Sequence, residues 1–247
     1  MDNLKIQSIL SGQFQENYRV FLQRFLLVLT TFALLLCVLM FSFILFILVP
    51  QFHAPYYAVH DSTMVQSHTP YPLLYQGALV KEWNQDFTRE LRRVVLVESQ
   101  SAFVFTPNPY FDKLSEREAH HMDDVLLLMR QTVVLFWISL VGSIFLLNVL
   151  FTKKLIMRLK KYFIRVQIGF SIVAAVSVFF FSAAFVQFHR LLFSNDLWML
   201  PYNSFLIQTF PQGYFIWSFV CILIIYAVLQ SGVYVVLSAI VRQTHYA

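Results

Sequence analysis

The sequence predicts an all-α membrane protein, a four-transmembrane-helix bundle with an extracytoplasmic domain between helices 1 and 2, and three observations lead there. The 247 residues are 58% apolar and only 13% charged, with a mean hydropathy of +0.64, a balance that fits long apolar stretches in a bilayer. Four stretches, residues 25–49, 125–150, 166–188 and 214–238, each reach the roughly 20 residues needed to cross about 30 Å of hydrocarbon. Lysine and arginine are concentrated in some connecting segments and balanced by acids in others, which orients the spans.

Residues 1–24 form a cytoplasmic arm in which Ile6, Leu10, Phe14, Tyr18, Phe21 and Phe25 recur at helical spacing, a pattern for a helix along the inner membrane surface that Gly12 weakens. Residues 25–49 are the first span. It is too long for the apolar core of a signal peptide and runs into Val49-Pro50-Gln51 instead of a small-residue cleavage site, so it is expected to stay as an anchor. Residues 50–124 are the extracytoplasmic domain. Its Pro55, Tyr56, Tyr57, Pro70, Tyr71, Pro72 and Tyr75 suit an irregular segment on the headgroups. Leu79, Trp83, Phe87, Leu91 and Val94 then predict a helix over residues 79–97 with a solvated charged face. The domain contains no cysteine, so it is held together without disulfides.

Ser115-Glu116-Arg117-Glu118 is an S-x-x-E capping box, so a helix starts near Glu116 and runs unbroken into the second span, residues 125–150. Residues 151–165 are a basic cytoplasmic loop and residues 166–188 the third span, where Ser171, Ala175, Ser182 and Ala183 allow close approach to a neighbour. An extracytoplasmic loop (189–213), the fourth span (214–238) and a cytoplasmic tail (239–247) complete the chain.

Orientation follows from the basic residues. Lys5, Arg19 and Arg24 lie in the arm, Lys153, Lys154, Arg158, Lys160, Lys161 and Arg165 in the short loop, and Arg242 in the tail, against only Asp2 and Glu16 as acids. The positive-inside rule places both termini in the cytoplasm and the long domain outside. The net charge of +5 therefore faces anionic lipid, and with no folded basic domain nucleic acid is not an expected partner. With six glycines and no G-x-S-x-G, H-E-x-x-H or phosphate-binding glycine loop, the usual signatures of soluble enzymes are excluded. Cys37 and Cys221 fall inside the first and fourth spans, where apolar neighbours disfavour a thiolate, and read as packing residues.

Two polar stretches stand where apolar spans leave the membrane: His120-His121-Met122-Asp123-Asp124, and Phe188-His189-Arg190 followed by Asn195-Asp196-Leu197-Trp198. Ionisable residues against apolar spans are costly, which makes them functional candidates by default. Both stretches face outward and can meet in one site. On a helix His121 shares a face with Glu118, Asp124 and Val125, whereas His120 stacks on Glu116 and Asp124. At 1.5 Å per residue His121 lies about 6 to 14 Å above the hydrocarbon, at glycerol-ester depth.

Plainer readings stand beside this one. A single interfacial histidine usually snorkels and caps a helix end, and Trp198 and Trp217 read as interfacial anchors. Glu118 and His121 form an E-x-x-H pair, but carboxylate metal bundles need a second such pair on another helix, and none occurs. No metal is assigned, although His120, His121, Asp124 and His189 have the chemistry for zinc. His53, His60, His68 and His245 read as ordinary surface histidines.

Glu116-Arg117-Glu118, His121-Met122, Asp124-Val125, Phe188-His189, Phe193, Asp196, Trp198, Leu206-Ile207, Phe210-Pro211 and Phe215 resemble the lipoprotein intramolecular transacylases (Lit), small four-span bacterial membrane proteins. The resemblance covers the chain from about Tyr110 to Trp217. Leu114, Leu126, Ser204 and Gln212 stand where the family pattern has Phe, Lys, Asp and Glu. The resemblance implies an acyltransferase of the bacterial cell membrane, without a cofactor and with an extracytoplasmic active site. Its substrates would be diacylated lipoproteins presented in membrane lipid. It would move the sn-2 acyl chain of a diacylglyceryl-cysteine lipoprotein onto that lipoprotein's own N-terminal α-amine, giving the N-acylated lyso-form.

On this resemblance His121 and His189 are catalytic, one as general base and acid, the other orienting it or hydrogen-bonding the oxyanion. Glu118 or Asp124 would fix the His121 tautomer, Arg117 would hold the oxyanion or a phosphate, and Asp196 and Trp198 would support the site. The residues alone leave two other readings open. One is a histidine- or metal-dependent membrane lipid hydrolase or acyltransferase using the same site; the other is a non-catalytic membrane subunit that binds a partner through its outer loop.

Overall fold

The computed structural model describes residues 2–52, 55–56, 114–152 and 154–246. Among them all regular structure is helical, and four helices are long and apolar enough to cross a membrane, as the sequence predicts. The helix expected over 79–97, the Pro/Tyr-rich segment after Tyr56 and most of the 50–124 domain lie outside the described residues.

Helix α1 (Asp2–Leu48) joins the arm and the first span in one piece and passes through Gly12 unbroken. A short 3-10 turn, Pro50–Phe52, comes after it. Helices α2 (Glu116–Thr152), α3 (Ile156–Phe179), α4 (Phe181–Leu192), α5 (Phe205–Thr209) and α6 (Gln212–Tyr246) succeed one another along the chain. The capping box forms: Ser115 donates from its N–H (2.8 Å) and its hydroxyl (2.7 Å) to Glu118 Oε2, which fixes the start of α2.

Two boundaries differ from expectation. The second and third spans are joined by a tight turn instead of a loop over 151–165. Lys154 takes the left-handed φ of 56°, and the Leu155 N–H donates to the Leu150 carbonyl at 2.8 Å, closing α2 in a Schellman-type pattern. Arg158, Lys160, Lys161 and Arg165 therefore ride on α3. Lysine and arginine are good helix formers, so density of charge does not require a loop. Arg158 Nη1 donates to Gln23 Oε1 at 3.2 Å, and Lys160 Nζ lies 4.7 Å from the Tyr234 ring centroid. The third span also breaks at Phe180, and its continuation, α4, carries His189.

Helix α1 packs on α2 and also on α6 and α3. One apolar cluster joins Leu27, Leu150, Leu159 and Phe163 near the α2–α3 turn, and a second joins Phe46, Ile47, Leu126 and Val133. Lipid tails are as apolar as leucine, so these contacts stabilise by close packing more than by escape from water. The hydroxyls of Thr30, Thr31 and Ser42 each donate to the carbonyl four residues earlier, at 2.7 to 2.8 Å, which satisfies them within α1. Ser171, Ala175, Ser182 and Ala183, expected to allow a close approach, are all exposed, and Ser182 meets α6 through a hydrogen bond from Gln212. Helix α3 instead packs through Ile156, Leu159 and Phe163, then through Gln167, whose Oε1 accepts the Tyr226 hydroxyl at 2.7 Å.

Candidate functional site

His121, on the second turn of α2, and His189, near the end of α4, face each other with ring centroids 6.3 Å apart. The His189 ring folds back along its own helix so that Nδ1 lies 2.8 Å from the Phe185 carbonyl. A carbonyl can only accept, so Nδ1 carries the hydrogen and, in the neutral ring, Nε2 carries the lone pair. Phe185 (4.1 Å), Trp198 (5.1 Å) and Phe193 (5.6 Å) wall the imidazole by ring centroid distance. Burial among these rings pushes the His189 pKa below 6.5, opposed in part by the hydrogen bond to Phe185. Phe193 also meets His121 edge-on at 5.4 Å, and the buried Nδ1 of His121 has no hydrogen-bond partner among the described residues.

The start of α2 holds the loop between α4 and α5 at three points. Arg117 Nη2 donates to the Asp196 carbonyl. Asp124 Oδ2 accepts from Asn195 Nδ2 at 2.8 Å, and Asn195 Oδ1 accepts the Leu197 N–H at 3.0 Å. Glu118, only 3% exposed, accepts the Leu206 N–H at 2.9 Å besides its two bonds from Ser115. A buried carboxylate needs such donors, and three fill it. Glu118 therefore ties the start of α5 to α2; of the two acids expected beside His121, Glu118 or Asp124, its oxygens are taken up by Ser115 and Leu206. Trp198, read as an interfacial anchor and, on the resemblance, as a support of the site, lies against His189, and Trp217 Nε1 donates to the Phe52 carbonyl at 2.8 Å.

Ser204 and Gln212, where the family pattern has acids, keep polar contacts. Ser204 caps α5 by accepting the Ile207 N–H at 3.3 Å, and Gln212 Nε2 donates to Ser182 Oγ at 2.7 Å. His120 is 60% exposed, lies 3.9 Å from Glu116 and stays out of the pair. Among the described residues no group of three or more His, Cys, Asp or Glu is placed to hold a metal ion. Sequence reading missed Phe185 as a wall residue, although it lies one helical turn before His189; Phe193, quoted only for the resemblance, is the extended residue that ends α4. Asn195 and the Leu206 N–H carry no comparable local signal, because their partners are distant in the chain.

The fold and site together define a helical membrane protein with two imidazoles brought together at one end of its helices. The family model for lipoprotein intramolecular transacylase Lit matches residues 28–215, which includes both histidines, and the chain belongs to that family of membrane transacylases. The in meso structure of membrane integral Lit from Bacillus cereus is similar at 17% identity with a TM-score of 0.61, covering 90% of this chain and 99% of that one. A histidine-to-alanine variant of the same protein is similar at 15% identity with a TM-score of 0.61, covering 94% of this chain and 100% of that one. At these identities the likeness speaks for the fold. No curated protein matches the chain.

Proposed function

We propose that the protein moves the sn-2 acyl chain of a diacylglyceryl-cysteine lipoprotein to the lipoprotein's own N-terminal α-amine, with His121 and His189 as the catalytic pair. The observation that carries the proposal is the meeting of the two imidazoles with Nδ1 of His189 committed to Phe185. That bond leaves Nε2 free to act as a base, and the spacing of His121 from the apolar span supports a site at the glycerol level of the bilayer.

An α-amine with a pKa of about 7.7 to 8.0 is mostly protonated at neutral pH; it attacks after losing a first proton to solvent, and a base is needed for the second as the N–C bond forms. As the amine nitrogen bonds the ester carbonyl carbon, His189 Nε2 takes its proton. The oxyanion of the tetrahedral intermediate accepts a hydrogen bond from His121. Collapse breaks the bond to the sn-2 glycerol oxygen, which takes the proton back from His189 as it leaves. An amide and a free glycerol hydroxyl result. Holding amine and ester in one attack geometry is worth up to about 7 to 11 kcal/mol in favourable cases. Phe185, Phe193 and Trp198 keep water from competing with the amine.

Asp124, Asp196 and Arg117 support this by holding the loop, with the remaining Arg117 N–H groups turned to substrate oxygen. The positive-inside pattern supports a map with both termini in the cytoplasm and residues 50–124 and 189–213 outside. The substrates would be diacylated bacterial lipoproteins, with their acyl chains left in membrane lipid.

Purified protein mixed with a diacylated lipopeptide, in the presence of a strong chelator, tests the proposal by mass spectrometry. The expected product is the N-acylated lyso-peptide, with no acyl release from an N-acetylated substrate. Free fatty acid from the blocked substrate would mark a hydrolase, loss of activity that zinc restores a metal enzyme, and no turnover at all a binding subunit.

A further inference from the structure

We propose that Asn195 is a positioning residue that locks the loop bearing Trp198 onto the helix bearing His121, and thereby sets the spacing of the two histidines. The inference deepens the transacylase reading and rests on it. Both ends of the Asn195 amide are used: Nδ2 donates to Asp124 Oδ2 at 2.8 Å, and Oδ1 accepts the Leu197 N–H at 3.0 Å. An amide is the side chain that offers a donor and an acceptor at this reach, and neither bond survives a flip of the group. A carboxylate at 195 would keep the Leu197 bond but turn oxygen toward oxygen at Asp124.

The place of these bonds gives them their effect. The Leu197 bond closes an Asx-type turn immediately before Trp198, whose ring lies 5.1 Å from His189 by centroid. The Asp124 bond anchors that turn to α2, one helical turn beyond His121. Helix α4, which carries His189, has no fully buried residue. Phe181, Phe185 and Ser182 seat it on Phe219, Phe215 and Gln212 of α6, and the loop at its C-terminal end ties it to α2. Arg117 and Glu118 also grip that loop, but through the Asp196 carbonyl and the Leu206 N–H, backbone groups that nearly any residue supplies. The Asn195–Asp124 contact is side chain to side chain, so its polarity can be inverted.

Inversion is the test. In the Asn195→Asp variant two carboxylates meet, and kcat is expected to fall about 100-fold with KM little changed, the scale of a 1 Å misplacement. The double variant Asn195→Asp with Asp124→Asn has the same composition and net charge as the wild type. There the amide at 124 donates to the carboxylate at 195, which still accepts the Leu197 N–H, and kcat should recover at least about tenfold. Emission of Trp198, with Trp83, Trp137 and Trp217 changed to Phe, gives a readout independent of turnover: red-shifted in Asn195→Asp and restored in the swap. If Asn195→Asp does not accumulate in the membrane, Asn195→Ala removes both bonds without repulsion and should show the same split of kcat against KM. A wild type that forms product alongside a fully active Asn195→Asp, or a swap no better than the single variant, overturns the inference. A wild type that forms no product overturns the transacylase reading instead, and the lock then stands or falls on the Trp198 emission.

Discussion

At the end of the bundle where α2 turns into α3, Leu27, Leu150 and Leu159 are no more than 1% exposed and four helices close around them. At the end where His121 meets His189, α4 has no fully buried residue, and position comes from a few polar bonds to the following loop, α5 and α6 and from facing rings. The first end is built by packing, which is dense, redundant and indifferent to direction. The second is built by directional contacts, each of which sets where an imidazole points. Substitutions at the first end should change how much protein is folded, and those at the second how well the folded protein works.

The largest effect expected is at the pair itself. His121→Ala and His189→Ala should each lower transacylation by about 100- to 10,000-fold, the range for loss of a general acid–base, while the protein still accumulates in the membrane. Mass spectrometry of lipoprotein N-termini reads this, and near-normal product from either variant would remove that histidine from the chemistry.

A matched pair of variants then separates the two ends. Leu159→Ala should cost about 2 kcal/mol or more in stability through lost packing, with kcat of the surviving protein unchanged. Glu118→Ala should cost about 1 to 3 kcal/mol by leaving the buried Leu206 N–H without its acceptor, and should lower kcat as well, because the loop it holds walls the site. Melting in detergent beside turnover reads both; equal kcat in the two variants would erase the distinction.

The pH dependence sharpens it further. Burial holds the His189 pKa below 6.5, so kcat/KM should show, beneath the limb at about 7.7 to 8.0 set by the substrate amine, a second acid limb below pH 6.5 as Nε2 is protonated. Because the unfolded chain binds that proton first, stability should also decline as pH falls below about 6.5. Trp198→Ala opens the ring to water and should move that second limb upward toward 6.5. A limb that does not move would mean that Trp198 does not shield the base. The smallest effect belongs to His120→Ala: its ring is mostly exposed and its contact with Glu116 is long, so turnover should change little.

Much of the framework was legible in the sequence. The four spans follow from hydropathy and length, and the capping box named the start of α2 to the residue. The segment 151–165 misled because clustered lysine and arginine read as a loop, although they also favour helix and extend their charges away from it. The small residues of the third span misled for a related reason. Small size permits close approach, but which face a helix turns inward depends on its neighbours.

By itself the sequence determined that this chain crosses a membrane as helices, that two histidines stand at the ends of spans, and that the residues around them match one family. These are properties of composition, period and short motifs, which act over a few residues along the chain. Tertiary structure decided that the imidazoles lie 6.3 Å apart, that Glu118 binds the Leu206 N–H and not a histidine, and that Trp198 faces the site. The first two contacts join segments far apart in sequence and the third folds the loop after α4 back onto it, so the partner is selected by how helices and loop pack, and no local pattern encodes it.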